Sequence, residues 1–272
     1  MSNKPGNALH TIFTLDGLAR RDAAINRIHP LSKLLVTLGY IATVVSCNKY
    51  DIAGVSSLFI YPFVLFLWAD LPFVDALRRM KLVLPLVVFI GILNPILDPN
   101  RVIIAGHVVS AGVFSFTTLV IKGLFALLAS YLLIASTTID SICYALQCLH
   151  MPKILVTQFM LTYRYISVLM EEVQHSVLAY QLRAPKQNGV HHKVWGSLTG
   201  QLLLRAIDRA TVVYEGMTLR GYTGDFSYLH HSIHAGTRDI LYVIGWVIIF
   251  VSFRLLPVFE LLGSIFVHFH LK

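Results

Sequence analysis

Five apolar runs, at residues 34–47, 52–69, 82–97, 113–136 and 240–258, are separated by polar stretches. Each is near, or extendable to, the roughly 20 residues that an α-helix needs to cross a hydrocarbon core of about 30 Å. Lipid offers no partner to a backbone N–H or C=O, so such runs are held to helices whose hydrogen bonds close internally. The first run is short, and extends if it borrows Leu31 and the stem of Lys33, whose amine reaches the interface. Pro62, Pro85 and Pro95 fall inside runs and predict kinks, which neighbouring helices make tolerable. Composition agrees. Charged residues make up 13% of the chain and hydrophobic residues 56%, against roughly a quarter charged in a soluble domain. The expected fold is an all-α integral membrane protein with about five transmembrane helices.

Orientation follows from Lys and Arg, which hold short loops on the cytoplasmic side. The turn at 48–51 has only Lys49, and the stretch 98–112 only Arg101, so both are expected outside. Residues 70–81 carry Arg78, Arg79 and Lys81, and residues 137–239 carry basic residues from Lys153 to Arg238. These are expected inside. Residues 1–33 contain Lys4, Arg20, Arg21, Arg27 and Lys33 without the apolar core of a secretory signal, which predicts a cytoplasmic N-terminus. The reading divides the chain into 1–136 (N-terminal segment and four spans), 137–239 (a cytoplasmic helical domain) and 240–272 (the last span and an external tail). The formal charge of +8 lies between the spans, where basic residues hold loops on the cytoplasmic side, so membrane lipid and not nucleic acid is the expected partner. In the external stretch, β-branched residues on either side of Ala105-Gly106 predict a short hairpin.

The segment 137–239 is too polar to cross a membrane and too patterned to be a linker. Thr138 or Asp140 caps a short helix ending near Leu149. Pro152 sits in the first turn of a second, running to Arg183, where proline is tolerated. Along it Arg164, Glu171 and His175 share one stripe. Ala184-Pro185 stops that helix, and a third is expected from Trp195 or Ser197. On the third, Arg205, Arg209, Gly216 and Arg220 recur at spacings that bring all four within about 60° of one face. Gly221, Gly224 and Asp225 then form a terminating turn.

Several features point away from chemistry. Cys47, Cys143 and Cys148 lack the number and spacing of a disulfide or zinc framework and read as packed thiols. Twelve histidines, including His191-His192 and His230 with His234, do not recur at a ligand spacing, so no metal site and no cofactor are expected. Lys122, well inside the fourth run, is a functional candidate by default or a snorkelling side chain; Arg254 reads as an interface anchor. No Gly-x-x-x-x-Gly-Lys-Ser/Thr loop, nucleophile elbow or His-Glu-x-x-His occurs in the sequence, so neither an ATP site nor an enzyme is expected.

Three stretches carry a resemblance: RDAAINRIHPLSKLLVTL, with His29, Pro30 and Lys33; the middle segment STTIDSICYALQCLHMPKILVTQFMLTYRYISVLMEEVQHSVLAYQLRAP; and LLLRAIDRATVVYEGMTLRGYTGDF. In order and spacing, from Asp16 to about Phe226, the chain resembles the transmembrane T component of energy-coupling factor ABC transporters, in its cobalt-type CbiQ branch. The resemblance implies a non-catalytic subunit of the prokaryotic cytoplasmic membrane. Its partners would be two ATP-binding cassette ATPases and a substrate-binding membrane subunit. It assigns ATPase coupling to Arg183, flanked by Leu182 and Ala184, and to Arg220, flanked by Leu219 and Gly221. It leaves Arg164, Glu171, Glu172, Arg205 and Arg209 as packing candidates of the coupling helices. The leucines replace the family's usual small residue, and Ala184-Pro185 replaces its glycine. The implied cargo is cobalt, with nickel or a vitamin as the alternative. A secondary transporter or channel acting alone is the rival of another class, and would call for midplane charges and internal repeats.

Overall fold

The computed structural model describes residues 17, 19, 24–69, 71, 73–81, 83–97, 101–104, 107–185, 189–224 and 236–255. In chain order its helices are α1 Pro30–Ser46, α2 Ile52–Ser57, α3 Ile60–Ala69, α4 Phe73–Met80, α5 Leu84–Gly91, α6 Asn94–Leu97, α7 Ala111–Ser136, α8 Ile139–Cys148, α9 Lys153–Arg183, α10 His192–Leu219 and α11 Thr237–Leu255. A short 3-10 turn, Ala24–Arg27, precedes α1, and strands β1 Arg101–Ile104 and β2 His107–Ser110 precede α7. The described residues fall into two compact units, one of residue 17 with 139–224 and one of residue 19 and 24–138 with 236–255.

In the apolar unit α7 is, among the described residues, the one helix long and apolar enough to cross a membrane by itself. The second run is broken into α2 and α3. Pro62 has no N–H to give the carbonyl of Leu58, four residues earlier, and the chain turns at Leu58-Phe59 instead. The Leu58 carbonyl takes a hydrogen bond from the Tyr40 hydroxyl at 3.0 Å and a second from the Tyr61 N–H at 3.3 Å. The third run breaks for the same reason: Pro95 cannot serve the carbonyl of Gly91, where α5 ends. Pro85 makes no kink; it lies in the first turn of α5, where a missing N–H costs nothing. Ala105 and Gly106 lie outside the described residues, but the strands flanking them pair antiparallel with Ile104 opposite His107, as a hairpin closing there requires. Two glycines let neighbours approach α7, a backbone at Gly112 and a side chain at Gly123. A Cβ at Gly112 would lie 2.5 Å from the Pro95 Cα, and one at Gly123 would lie 2.7 Å from Val87, close contacts of the kind small residues permit between membrane helices.

Aromatic rings of α1, α3 and α11 form the core of this unit. Tyr40 stacks on Tyr61 with centroids 4.3 Å apart, and Trp246 meets Tyr61 edge-on at 4.8 Å. The Thr37 and Tyr61 hydroxyls are 3.0 Å apart. At the far end of α1, whose last carbonyls have no helical partner, cations from two other helices take over. Lys122 Nζ donates to the Val45 and Cys47 carbonyls, and Arg254 donates to the Ser46 carbonyl at 2.9 Å. Both charges flagged in the sequence therefore cap one helix C-terminus, where positive charge is favoured.

The second unit holds α8, α9 and α10. Cys143 and Ala145 of α8 and Val156 and Thr157 of α9 are its buried side chains. α8 ends in a turn that places His150 at φ 61°, with the Met151 N–H returning to the Leu146 carbonyl at 3.2 Å and the His150 N–H to that of Gln147 at 3.1 Å. That crossed pair is a Schellman cap, with histidine where glycine is usual. Among the cysteines, Cys47 and Cys143 are buried as expected, whereas Cys148 is exposed. Burial, then the charge of Asp140, pushes the Cys143 thiol up, which keeps it protonated and inert.

Candidate functional site

α9 runs 31 residues because nothing between Lys153 and Arg183 breaks it: the segment contains neither Gly nor Pro. Pro152 stands at its N-cap, one position before the first turn. At the other end Pro185 disfavours a helical conformation for Ala184, which sits at φ −129°, ψ 61° with its N–H on the Tyr180 carbonyl. Arg183 is thus the last helical residue. Its side chain is exposed, and so is that of Leu182, at 74%.

α10 starts at His192, earlier than Trp195 or Ser197. His191 supplies the N-cap, its Nδ1 accepting the Lys193 N–H at 3.3 Å. The Trp195 indole donates to the Val190 carbonyl at 3.3 Å and stacks with His192. Histidine is outside the usual N-cap set of Ser, Thr, Asp and Asn, which is why the sequence pattern placed the start too late. The helix ends at Leu219 with Arg220 as C-cap and Gly221 at φ 86°. The Tyr222 N–H bonds the Met217 carbonyl at 3.0 Å and the Gly221 N–H that of Thr218 at 3.0 Å, a Schellman motif that only glycine enters without strain. Leu219, just before it, is 89% exposed.

Both arginines therefore occupy the same local setting: a helix C-terminus, a preceding leucine in the open, and a turn immediately after. Between α9 and α10 runs a groove with two adjoining lobes. The apolar one, about 480 Å³, is walled by residues such as Leu161, Ile166, Leu169, Val213 and Met217. The polar one, about 780 Å³, brings together Arg164, Arg205, Arg209 and Arg220 with Glu172 and Asp208. Gly216 also lines it, so the four residues read as one face of α10 do share one surface. Four guanidiniums against two carboxylates leave it positively charged. Arg205 pairs with Glu172 across the groove; both are more than a third exposed, so the pair contributes at most about 0.2–1 kcal/mol. Glu171 and His175 are exposed on α9 and stand outside the groove: Arg205 selects Glu172 from the glutamate pair.

No residue of α10 is buried. Leu203, Leu204, Ile207, Val212 and Tyr214 are all exposed, an apolar surface that its own unit leaves uncovered. Among the described residues no three His, Cys, Asp or Glu side chains gather as a metal site would require; His230, His234 and Asp225 lie outside those residues. What the site offers is two arginine-tipped helices and a cationic groove.

Sequence reasoning overlooked Asp239. It is buried at the start of α11, where its Oδ1 accepts the His29 N–H at 2.7 Å. The signal was present, since an acidic residue in the first turn of an apolar run favours the helix N-terminus, but its partner is 210 positions away.

Among curated proteins no significant match is found. The family of cobalt transport proteins called CbiQ matches residues 22–230, which include α1 through α10 and both arginines. The chain belongs to the CbiQ family of cobalt transport proteins.

Proposed function

We propose that this chain is the membrane scaffold of an energy-coupling factor importer. It carries the motion of two cytoplasmic ATP-binding cassette subunits to a substrate-binding membrane subunit, with cobalt as the cargo. The observation that carries the reading is the matched pair of helix ends. Arg183 and Arg220 are both exposed, each follows an exposed leucine, and each is held by a turn that fixes where its helix stops. A guanidinium stays charged and presents a planar fork that pairs bidentately with a carboxylate and tolerates partial desolvation. Two such tips on two helices suit two copies of one partner. Burying a leucine beside each adds roughly 1.5–3 kcal/mol of apolar contact.

Membership of a cobalt transport family supports the cargo and the role in transport. The five-span arrangement is supported by the exposed apolar side chains on α1, α3, α5 and α11, among them Val45, Leu67, Phe89 and Leu241, which water would not tolerate together. On this reading the protein is multi-pass in the cytoplasmic membrane, and residues 137–239 lie in the cytoplasm. When ATP closes the cassette subunits, the tips of α9 and α10 are displaced and the helices move between discrete arrangements. The lack of a phosphate-binding loop means that hydrolysis belongs to the partners. The test is purification of the tagged chain from native membranes with identification of its companions by mass. The reading expects an ATPase present in two copies and a small membrane subunit; a chain that purifies alone and carries Co²⁺ by itself would overturn it.

A further inference from the structure

The two lobes between α9 and α10 lie within one unit of the fold and share a seam that includes Leu161, Leu169, Val213 and Met217. Away from the seam their walls part. On α10, Ala206, Ala210 and Tyr214 line only the apolar lobe, whereas Asp208, Val212 and Gly216 line only the polar one. At about 100° per residue the two stripes are centred roughly 160° apart on the helix. The helix pair therefore has an apolar side and, nearly opposite, a cationic one.

On the cationic side the Arg205–Glu172 pair takes up one charge of each sign. Arg164, Arg209 and Arg220 then stand against Asp208 alone. Arg164 and Arg209 are exposed, so their guanidiniums are accessible to a partner. Behind them the seam supplies an apolar floor, which keeps water from one side of any group that enters and so strengthens its pairing with an arginine. Gly216 leaves the lobe open in the middle of α10, since a Cβ there would meet nothing within 4 Å. Arg220 closes the series at the helix end, and the lobe thus runs on from one of the two arginine tips.

We infer that the cationic lobe is a second contact for the ATP-binding cassette subunit that Arg220 docks. It receives a segment of that subunit bearing carboxylates, which pair with Arg164 and Arg209. A guanidinium fork suits a carboxylate bidentately, and the lobe's excess of positive charge selects an acidic segment. A phospholipid fits less well, because its acyl chains call for the apolar side and the lobe opens nearly opposite. Arg164 stands on α9 and Arg209 with Arg220 on α10, so one ATPase copy grips both helices, and its displacement moves the pair together. The inference rests on the coupling role proposed above and adds a contact beyond the tips.

The experiment uses the full chain co-purified with its ATPases, with a photoactivatable benzophenone amino acid in place of Gly216, where a side chain has room. Irradiation should join position 216 to an ATPase, at a peptide carrying Asp or Glu beside the point of attachment. In parallel, Arg164→Gln with Arg209→Gln should lower ATPase retention about tenfold at low salt, the scale of one hydrogen bond to a charged group. It should also flatten the dependence of retention on ionic strength, which Arg164→Lys with Arg209→Lys should preserve. Gly216→Leu should lower retention by obstructing the lobe, although leucine is the better helix former. Should the double glutamine variant fail to assemble, the photoproduct decides. Attachment to a lipid, to the substrate-binding subunit or to no partner overturns the inference, as does unchanged retention in the glutamine variant; either result leaves the arginine tips their role. A wild-type chain that retains no ATPase is a different result, which removes the coupling role and this contact with it.

Discussion

Replacing Tyr40 with Phe removes one hydroxyl and leaves the ring that stacks on Tyr61. The oxygen lost is the donor to the Leu58 carbonyl at 3.0 Å, in a side chain with no exposure at all. A buried polar group left without its partner costs about 1–3 kcal/mol. The Tyr61 N–H remains on that carbonyl at 3.3 Å, so the expected loss is in the lower half, about 1–2 kcal/mol. The reason the carbonyl needs Tyr40 is Pro62, and this can be tested separately. Pro62→Ala restores an N–H four residues after Leu58, so Tyr40→Phe should cost little in that background. The double-mutant cycle should then show a coupling of about 1 kcal/mol, beyond the roughly 0.3–0.5 kcal/mol within which independent sites add. Reversible unfolding in detergent micelles, followed by tryptophan fluorescence, measures all four proteins. Strict additivity, or a neutral Tyr40→Phe single variant, would refute the claim that the hydroxyl substitutes for the proline's missing donor.

Three further outcomes are expected. Lys122→Met should destabilise the protein by about 1–3 kcal/mol through the loss of its bonds to the Val45 and Cys47 carbonyls. It should leave the identity of the transported ion unchanged, and an altered cargo in a normally folded variant would contradict the structural role assigned to Lys122. Small tags at residues 50 and 105 should label from outside intact cells and a tag in 187–192 only after permeabilisation; external labelling of 187–192 would remove the coupling unit from the ATP side. Leu182→Ala with Leu219→Ala should weaken ATPase retention by roughly 1.5–3 kcal/mol per leucine if both are buried on docking, without changing the melting temperature of the isolated chain. Unaltered retention would mean that the leucines stay in solvent.

Much of the architecture could be read from local pattern. Pro152, Ala184-Pro185 and Gly221 mark helix ends by what a ring or a missing Cβ does to the backbone, and the structure ends or starts helices beside each. The β-branched residues around Ala105-Gly106 announced the hairpin, and the arginine periodicity placed four residues of α10 in one groove. What local pattern could not supply was the partner of each long-range bond. Prolines signalled interruptions in the second and third runs, but the break falls at the carbonyl that loses its donor, and its rescue by Tyr40 comes from another helix. Lys122 looked functional because its acceptors, on α1, lie 75 or more residues away. The knot of Lys33, Ser136, His29 and Asp239 joins three distant segments, and only the fold brings them together. The start of α10 was misjudged because the sequence rule for caps gives little weight to histidine.

The central claim is that Arg183 and Arg220 dock the ATPases, and the most direct measurement is detergent pull-down of the ATPases with the Arg183→Ala, Arg220→Ala double variant, alongside metal uptake in membranes. Leaving a docked partner group desolvated and unpaired costs roughly 2–5 kcal/mol per site, so retention and uptake should fall with each single change and be lost in the double. Arg→Lys at both sites should restore them only in part, since Lys keeps the charge without the fork. Arg205→Ala, which removes an exposed ion pair, should leave retention close to wild type. A double variant that is expressed normally and still retains its ATPases and its uptake would contradict the account, leaving both arginines as ordinary charges at helix ends.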